Sequence, residues 1–342
     1  MLAKNSVRRL VMLAAPILVA ATAAHAASCP SLLGPGLHTV VVHGGGADRP
    51  MALLVPAGAK PGKALALVFD LHGSGSNGEA EALSTGLRDL ADDRNFLVAH
   101  PDGAVSAADH PDQHFWNIPG VPLVTGASVP PGTGDDVQFI NDAIDAVAAE
   151  TCVDPRRIYV TGMSGGARMT SLVACRLAAR IAAVAPVAGL RAGLPGNGAD
   201  RAPSPEACQP SRPVPVVTFH GTDDPVNPYA GGGQPYWGYG VPVALRRWAE
   251  IDGCDPVPKV KRVSEHVVLE KYKDCGGEAD VLLYRTEATA AEGGGHVWPG
   301  GQPPRDLPAG ADPAAAARFN TGHEINASRL IWDFFDEHRL PR

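Results

Sequence analysis

Short runs of β-branched and aliphatic residues alternate along this chain with longer segments in which apolar residues recur at a helical period. The short runs are bounded by glycine or proline, which is typical of strands buried on both faces. Strands that alternate with helices in this way usually form a mostly parallel sheet flanked by helices. The pattern therefore predicts an α/β fold with one large domain built on a mostly parallel central sheet.

The predicted elements follow one another in a regular order. Strands are predicted over residues 64–73, 95–103, 156–162, 181–189, 214–221, 263–270 and 279–286. Helices are predicted over residues 79–92, 136–150, 165–179 and 240–251, and a last helix carries Leu330, Ile331, Phe334 and Phe335 on one face. Asp135 or Asp136 is expected to cap the helix over 136–150. Asn326 matches a glycosylation acceptor, but its place before the last helix favours a helix cap.

The first thirty residues have the pattern of an export signal. An apolar run from Leu10 to about Ala24 follows three cations and ends in an Ala-x-Ala cleavage pattern, and it is too short and Ala-rich for a membrane span. We therefore expect residues 1–26 to be a signal peptide cleaved near Ala26, and the protein to be secreted or periplasmic. A lipoprotein acylated on Cys29 is the alternative, but the leucine usual three positions before such a cysteine is missing.

The chain is acidic, with 29 Lys+Arg against 36 Asp+Glu and a formal net charge of −7 at pH 7. Loss of the three cations in the export signal would bring the net charge to about −10. Because lysines and arginines form no cluster, we expect no nucleic-acid partner and no attraction to anionic membranes. We also expect no membrane span, and a monomer.

All six cysteines lie beyond the predicted cleavage site. An even number of cysteines in an exported chain predicts disulfides rather than zinc, and no C-x-x-C or H-E-x-x-H spacing suggests a metal site. Cys254 and Cys275 bracket a short charged segment and are the pair best supported by the sequence. Once these two are paired, four cysteines remain, and we assign them as Cys175 with Cys208 and Cys29 with Cys152. We expect neither a metal nor a cofactor.

Residues 162–166 match the pattern G-x-S-x-G around Ser164. This pentapeptide lies directly between a predicted strand and a predicted helix, which is the context in which a sharp turn presents a nucleophilic serine. Glycines on both sides allow the chain to turn without a Cβ clash. A simple Gly-Ser loop in which Ser164 caps the helix is the alternative, but the strand and helix on either side favour the nucleophile.

A serine nucleophile needs a histidine as base and a carboxylate that orients the histidine. The predicted strand over 214–221 ends in "TDDP", where an aspartate followed by proline can orient an imidazole. His296 follows the strand over 279–286, in the stretch "GGGHVWPGG", whose glycines would allow the imidazole to reach the serine. The order Ser, Asp, His is that of α/β-hydrolases.

Acyl transfer also needs two backbone N–H groups that receive the oxyanion. The residue after the nucleophile, Gly165, supplies one at the positive end of the following helix. The turn "LHGSGSNG" after the first predicted strand can supply the other, which we assign to Ser74.

Eight segments of the chain, taken in order, resemble one known family. They are "LHGSGSNG", "HPDG", "DDVQFI", "DPRRIYVTGMSGGARM", "VAPVAG", "HGTDDPVNPY", "GGGHVWPGG" and "ASRLIWDFF". The chain resembles the secreted polyhydroxybutyrate depolymerase-type esterases, a family that also includes feruloyl and acetylxylan esterases. The resemblance implies an α/β-hydrolase domain over residues 27–342 that hydrolyses carboxylic esters without a cofactor. It assigns the acid to Asp224 rather than Asp223, and the catalytic triad to Ser164, Asp224 and His296.

The resemblance leaves several substrates open. Our leading hypothesis is a polyester of 3-hydroxyalkanoates or its oligomers, and feruloyl or acetyl esters of plant polysaccharides or other aryl and polyester fragments are the alternatives. A non-catalytic polymer-binding relative is the alternative from another class. Trp298, Trp116 and Tyr229 are expected to line the substrate pocket, with packing in the core as the competing interpretation.

Overall fold

The structure of the chain, a computed structural model, describes residues 33–44, 47–196, 198, 201–302 and 322–342. The predicted signal peptide lies outside these residues. The strands are β1 (Gly36–Gly44), β2 (Ala47–Val55), β3 (Leu65–Leu71), β4 (Leu97–Pro101), β5 (Val105–Ala107), β6 (His110–Phe115), β7 (Val153–Met163), β8 (Ala183–Val187), β9 (Val216–Gly221), β10 (Gly231–Gly232), β11 (Gly238–Tyr239), β12 (Lys259–Arg262), β13 (Val267–Tyr272) and β14 (Val281–Thr286). The α-helices are α1 (Gly78–Thr85), α2 (Leu87–Arg94), α3 (Asp136–Glu150), α4 (Gly165–Arg176), α5 (Val241–Ile251) and α6 (Ala327–Glu337).

Ten of these strands form one sheet, in the order β1-β2-β4-β3-β7-β8-β9-β14-β13-β12. The strands from β4 to β14 in this order run parallel, and antiparallel strands extend the sheet at both edges. The predicted, mostly parallel sheet is therefore confirmed. Since β3, β7, β9 and β14 are parallel, their carboxyl ends lie at one edge of the sheet, where ligand sites of such sheets form.

Both faces of the sheet are covered. All seven residues of β3 are buried, and alternate ones belong to different hydrophobic clusters. Leu67 and Phe69 pack in the cluster that contains residues of α3, α4 and α5, whereas Ala66 and Val68 pack in the cluster that contains residues of α2 and α6. Because successive side chains of a strand point to opposite faces, helices lie on both sides of the sheet.

Two of the sequence predictions need correction. The helix predicted over 79–92 is two helices, α1 and α2, separated by Gly86 in the left-handed conformation with φ 68°. The strand predicted over 263–270 is instead β13, paired with the exposed strand β12. The caps are as expected, since the Asp135 side chain accepts the N–H of Val137 and that of Asn326 accepts the N–H of Arg329.

Two of the three predicted disulfides are confirmed. Cys254 is bonded to Cys275, and Cys175 is bonded to Cys208 with their Cα atoms 5.1 Å apart. Cys152 is also disulfide-bonded, but its predicted partner Cys29 lies outside the described residues. Within the described part of the chain, no helix combines the length and apolar character needed to span a membrane.

Asp252, at the end of α5, carries a buried carboxyl group. Its Oδ1 accepts the N–H of Val214 at 2.9 Å, and its Oδ2 has no hydrogen-bond partner among the described residues. Burial raises the pKa of Asp252 to about 7, although the Val214 N–H and the Arg212 guanidinium oppose the rise. An acid whose pKa is higher in the folded than in the unfolded chain stabilises the fold least at high pH.

Asp252→Asn should therefore flatten the dependence of stability on pH. In the unchanged chain the contribution of Asp252 is present below about pH 4 and is lost as the pH rises through about 7, a change on the order of 4 kcal/mol. Asparagine keeps the acceptor for Val214 and cannot ionise. Urea unfolding at several values between pH 4.5 and 8 checks this, with the exposed Asp255→Asn as control. Parallel pH profiles for Asp252→Asn and the control would refute the assignment.

Candidate active site

Ser164 lies at the turn between β7 and α4, as the sequence predicts. Its backbone has φ 54° and ψ −108°, and its side chain is largely buried at 8% exposure. The Ser164 N–H donates to the carbonyl of Val187 at the end of β8, and its own carbonyl accepts the N–H of Arg168 in α4. These bonds fix the turn between two strand ends and the first turn of the helix.

Asp224 and His296 meet at the same edge of the sheet. They follow β9 and β14, which are neighbouring parallel strands, and His296 Nδ1 lies 2.7 Å from Asp224 Oδ2. The other carboxylate oxygen accepts the N–H groups of Val226 and Asn227 at 2.8 Å. Since the carboxylate can only accept, Nδ1 carries the proton of a neutral His296, and Nε2 is left to take a proton.

A second imidazole faces the same carboxylate. His220 Nε2 lies 3.3 Å from Asp224 Oδ2 and 2.8 Å from the carbonyl oxygen of Asn227. Burial alone would raise the pKa of Asp224, but the imidazoles of His296 and His220 outweigh it and hold that pKa well below its usual range. Asp224 is therefore ionised throughout the pH range in which histidine titrates.

Asp223 has a different position. Its Oδ2 accepts the N–H of Ala290 at 2.7 Å, and its own N–H donates to the carbonyl of Gly294. These bonds tie the end of β9 to the loop that carries His296, and they leave Asp224 as the aspartate that contacts the imidazole. A Cβ on Gly294 would lie 1.9 Å from the carbonyl oxygen of Ala288. Gly294 is therefore needed for close packing of the loop. The sequence alone suggested that the glycines before His296 are a source of flexibility.

Ser74 and Gly165 lie against each other beside the nucleophile. A Cβ added to Gly165 would lie 2.9 Å from the backbone nitrogen of Ser74 and 2.3 Å from its Oγ. Among the described residues, the Ser74 N–H has no hydrogen-bond partner. Gly165 is the first residue of α4, where N–H groups have no partner within the helix.

The turn that carries Ser74 is held by a buried histidine. His72 Nδ1 lies 2.7 Å from the carbonyl oxygen of Gly73, and His72 Nε2 accepts the N–H of Gly103 at 2.9 Å. The indole N–H of Trp116 donates to the His72 carbonyl at 2.8 Å. Burial lowers the pKa of His72 to about 4. The imidazole is thus neutral and supports the backbone of the turn.

Arg168 is a residue of this site that the sequence did not single out. It lies one helical turn after Ser164 and is buried, with Nη2 3.1 Å from Ser74 Oγ and Nη1 3.4 Å from Asn227 Oδ1. Its guanidinium carbon is 4.8 Å from the centre of the Tyr236 ring. The spacing of four residues from Ser164 is a signal in the sequence that such a side chain faces the nucleophile's side of the helix.

The three aromatic residues expected to line the pocket lie in different surroundings. Trp116 is 4% exposed and packs in the hydrophobic core, and it also borders a narrow cleft together with Ser74, Gly165 and Arg168. Its role in substrate binding stays a prediction. The ring centre of Tyr229 lies 6.0 Å from that of His220, the imidazole that faces Asp224.

Trp298 is not a pocket wall, and this expectation is corrected. It is 2% exposed, packs in the hydrophobic cluster that includes Ile331 and Phe335 of α6, and donates its indole N–H to Ser328 Oγ at 2.9 Å. Although Trp298 is only two residues after His296, its indole packs in the core under the last helix.

No group of three or more His, Cys, Asp or Glu side chains in the described part of the chain is arranged to hold a metal ion. His110 and His114 are four residues apart, a spacing that would place both on one face of a helix. They lie in β6, where four residues extend about 13 Å, too far for both imidazoles to bind one ion.

Comparison with known proteins gives the same family as the sequence motifs. Residues 50–223 match the profile of the family described as "Esterase PHB depolymerase". The chain is 33% identical over 261 residues to feruloyl esterase B of Piromyces equi, a match that covers 73% of this chain and 42% of that protein. It is 29% identical over 184 residues to a bifunctional acetylxylan esterase/xylanase of Neocallimastix patriciarum, covering 54% of this chain and 22% of that protein.

The chain thus spans less than half the length of these two relatives. Among solved structures, the fold is similar to that of an acetyl xylan esterase from Aspergillus awamori, with a TM-score of 0.53 and 16% identity over 76% of this chain and 94% of that one. This likeness shows the shared α/β-hydrolase fold.

His72 should stay neutral down to about pH 5, below the ordinary pKa of an imidazole. Its folded-state pKa of about 4 lies below that of an unfolded histidine, about 6.5, so its contribution to stability is present at neutral pH and is lost as the pH falls through this interval. Imidazole NMR signals followed from pH 8 to 4, compared with the same chain in urea, check this. A His72 signal that titrates near pH 6.5 in the folded protein would contradict it.

Proposed function

Because this chain belongs to the Esterase PHB depolymerase family, we propose that it is an exported serine esterase in which Ser164 attacks the carbonyl carbon of a carboxylic ester. The observation that carries the proposal is the 2.7 Å contact between His296 Nδ1 and the Asp224 carboxylate, at the same sheet edge as a serine held in a sharp turn. Such a carboxylate and imidazole are what a serine hydroxyl needs to act as a nucleophile near neutral pH.

In the first step His296 Nε2 takes the proton of Ser164 as the serine oxygen bonds to the ester carbon. Asp224 holds the imidazole in the tautomer with the proton on Nδ1 and stabilises the cation that forms. The low pKa of Asp224 supports this role, because the carboxylate stays charged while the imidazole gains and loses its proton. His296 then gives the proton to the departing alcohol, and water releases the acid from Ser164 by the same route.

The developing oxyanion is received by the backbone N–H groups of Ser74 and Gly165. Two observations support the assignment: a Cβ on Gly165 would lie 2.9 Å from the backbone nitrogen of Ser74, and Gly165 directly follows Ser164 at the start of α4. Arg168 adds a positive charge behind them, through its bond to the Ser74 hydroxyl. Charge that is fixed in place before the reaction stabilises the transition state without reorganisation.

The leading substrates are oligomers or polymers of 3-hydroxyalkanoates, which the words "PHB depolymerase" in the family description support. Feruloyl or acetyl esters of plant polysaccharides are the second candidate, which the relatives called feruloyl esterase and acetylxylan esterase support. A non-catalytic polymer-binding role is disfavoured because all three members of the proposed triad are present.

Ser164→Ala should abolish turnover of nitrophenyl esters, and the unchanged protein should be labelled on Ser164 by a fluorophosphonate. Loss of the nucleophile removes nearly all rate acceleration, a factor of about 10⁶ in enzymes of this mechanism. Release of nitrophenol and mass spectrometry of the labelled peptide are the measurements. A folded protein that resists labelling, or a Ser164→Ala variant with unchanged activity, would exclude the mechanism.

Gly165→Ala should lower kcat by about 10² to 10³, because its Cβ would push the Ser74 backbone out of place and remove an oxyanion donor. Gly34→Ala is the matched control, since a Cβ at Gly34 meets no atom within 4 Å. The kinetics are measured on nitrophenyl butyrate, with thermal unfolding as the check on folding. Unchanged kcat in a folded Gly165→Ala variant would remove this glycine from the oxyanion site.

A substrate panel separates the two candidate substrate classes. Rates on 3-hydroxybutyrate oligomers, methyl ferulate and acetylated xylan should be highest for the oligomers if the leading hypothesis holds, with Ser164→Ala as the blank. Highest turnover of methyl ferulate or of acetylated xylan would replace that hypothesis with the second candidate.

A further inference from the structure

A cavity of about 550 Å³ adjoins the cleft beside Ser74 and Gly165. Cavity and cleft share three lining residues, Ile118, Val121 and Arg168. Much of the cavity wall is apolar, including Leu172 and Leu194. This volume is in the range of small-molecule sites, and nothing in the proposed catalytic cycle uses it.

Two buried arginines line this cavity. Within the described part of the chain, the guanidinium of Arg168 forms hydrogen bonds to the uncharged side chains of Ser74 and Asn227 alone. Arg191 donates from Nη1 to the carbonyls of Trp237 and Tyr239 at 2.7 and 2.9 Å. Its Nε donates to the carbonyl of Leu190 at 2.7 Å. Their guanidinium groups lie over aromatic rings, that of Arg191 3.4 Å from the Trp237 ring centre.

Neither arginine has a carboxylate partner among the described residues. Burial lowers the pKa of each to about 10, and for Arg191 the nearby charge of Arg168 adds to the effect. Both therefore remain cations at neutral pH. Arg168 Nε and Arg191 Nη2 are buried without a hydrogen-bond partner in the described part of the chain. A buried, uncompensated cation is costly, so such a pair calls for an anion.

The carboxylates that line the same cavity do not fill this role. Asp135 and Glu206 are exposed, and the Asp135 side chain is engaged as the cap of α3. Arg176, also exposed, adds a further positive charge to the lining. The buried end of the cavity therefore carries positive charge alone.

We propose that this cavity binds an ionised carboxylate carried by the ester substrate, with Arg168 and Arg191 as its anion-binding residues. The inference rests on the proposed function and deepens it, since it favours esters with a free carboxylate, such as 3-hydroxyalkanoate oligomers, over neutral acetyl or feruloyl esters. Arginine is suited to this task because its planar fork binds carboxylates through two N–H groups. Arg168 also touches Ser74, so it links carboxylate recognition to the oxyanion side of the site.

The test compares two ligands that differ only in charge, the 3-hydroxybutyrate trimer and its terminal carboxamide. Binding to Ser164→Ala protein is measured by calorimetry at pH 7.5, which requires no turnover. We expect the carboxylate to bind at least tenfold more tightly than the amide, the size of a charge-assisted hydrogen bond. In the double variant with Arg168→Gln, which keeps hydrogen-bond donors without the charge, the carboxylate should lose more affinity than the amide, so that the preference falls below tenfold although Arg191 remains.

Arg176→Gln is the matched control, because it removes an exposed arginine of the same helix and cavity and should leave the tenfold preference intact. Equal affinity for the two ligands in Ser164→Ala protein would overturn the inference, and so would an equal loss for both ligands on Arg168→Gln. If Arg168→Gln does not fold, the comparison in Ser164→Ala protein still decides whether a carboxylate is recognised. Failure of the unchanged protein to hydrolyse any ester would instead overturn the proposed function, without affecting the binding result.

Discussion

The candidate site depends on the strained backbone of Ser164, with φ 54° and ψ −108°, at the end of β7. A residue with a Cβ in this conformation costs about 1–3 kcal/mol, so it persists only when its surroundings impose it. The chain imposes it by bringing α4 directly onto β3, where a Cβ on Gly166 would lie 1.9 Å from the carbonyl oxygen of Leu71. The same contact places the turn after β3, with Ser74, beside the first residue of α4. The serine and its expected oxyanion donors are thus positioned by one packing constraint.

The sequence predicted the centre of the sheet well and its edges poorly, for a physical reason. Central strands such as β3 and β9 are buried on both faces and appear as continuous apolar runs. The hairpin of β1 and β2 was not predicted, because exposed and buried residues alternate there and polar residues interrupt the pattern. β12 has four exposed residues, and its one apolar residue, Val260, is flanked by cations. Its pairing with β13 comes from backbone hydrogen bonds, which sequence patterns do not report.

Some residues of the site were also predicted well from the sequence, and others were not. Asp224 and His296 could be predicted because a parallel sheet brings loops from adjacent strands to one edge, whatever lies between them in sequence. Arg168 was missed because an arginine within an amphipathic helix is normally expected on its exposed face. Trp298 was placed wrongly because nearness in sequence to His296 was taken as nearness to the pocket, whereas its indole packs under α6. The sequence shows in which order the loops with catalytic residues follow one another. It does not show in which direction a side chain on such a loop points, because that depends on tertiary packing.

The site holds charges of both signs. The carboxylate of Asp224 faces two imidazoles, and Arg168 and Arg191 line an apolar cavity. The disulfide of Cys175 joins α4 to the segment ending at Cys208, and residues next to both cysteines line that cavity. Reduction of this bond would free a cavity wall without touching the proposed triad. If the cavity selects the substrate, its shape therefore depends on a compartment oxidising enough to keep this disulfide formed.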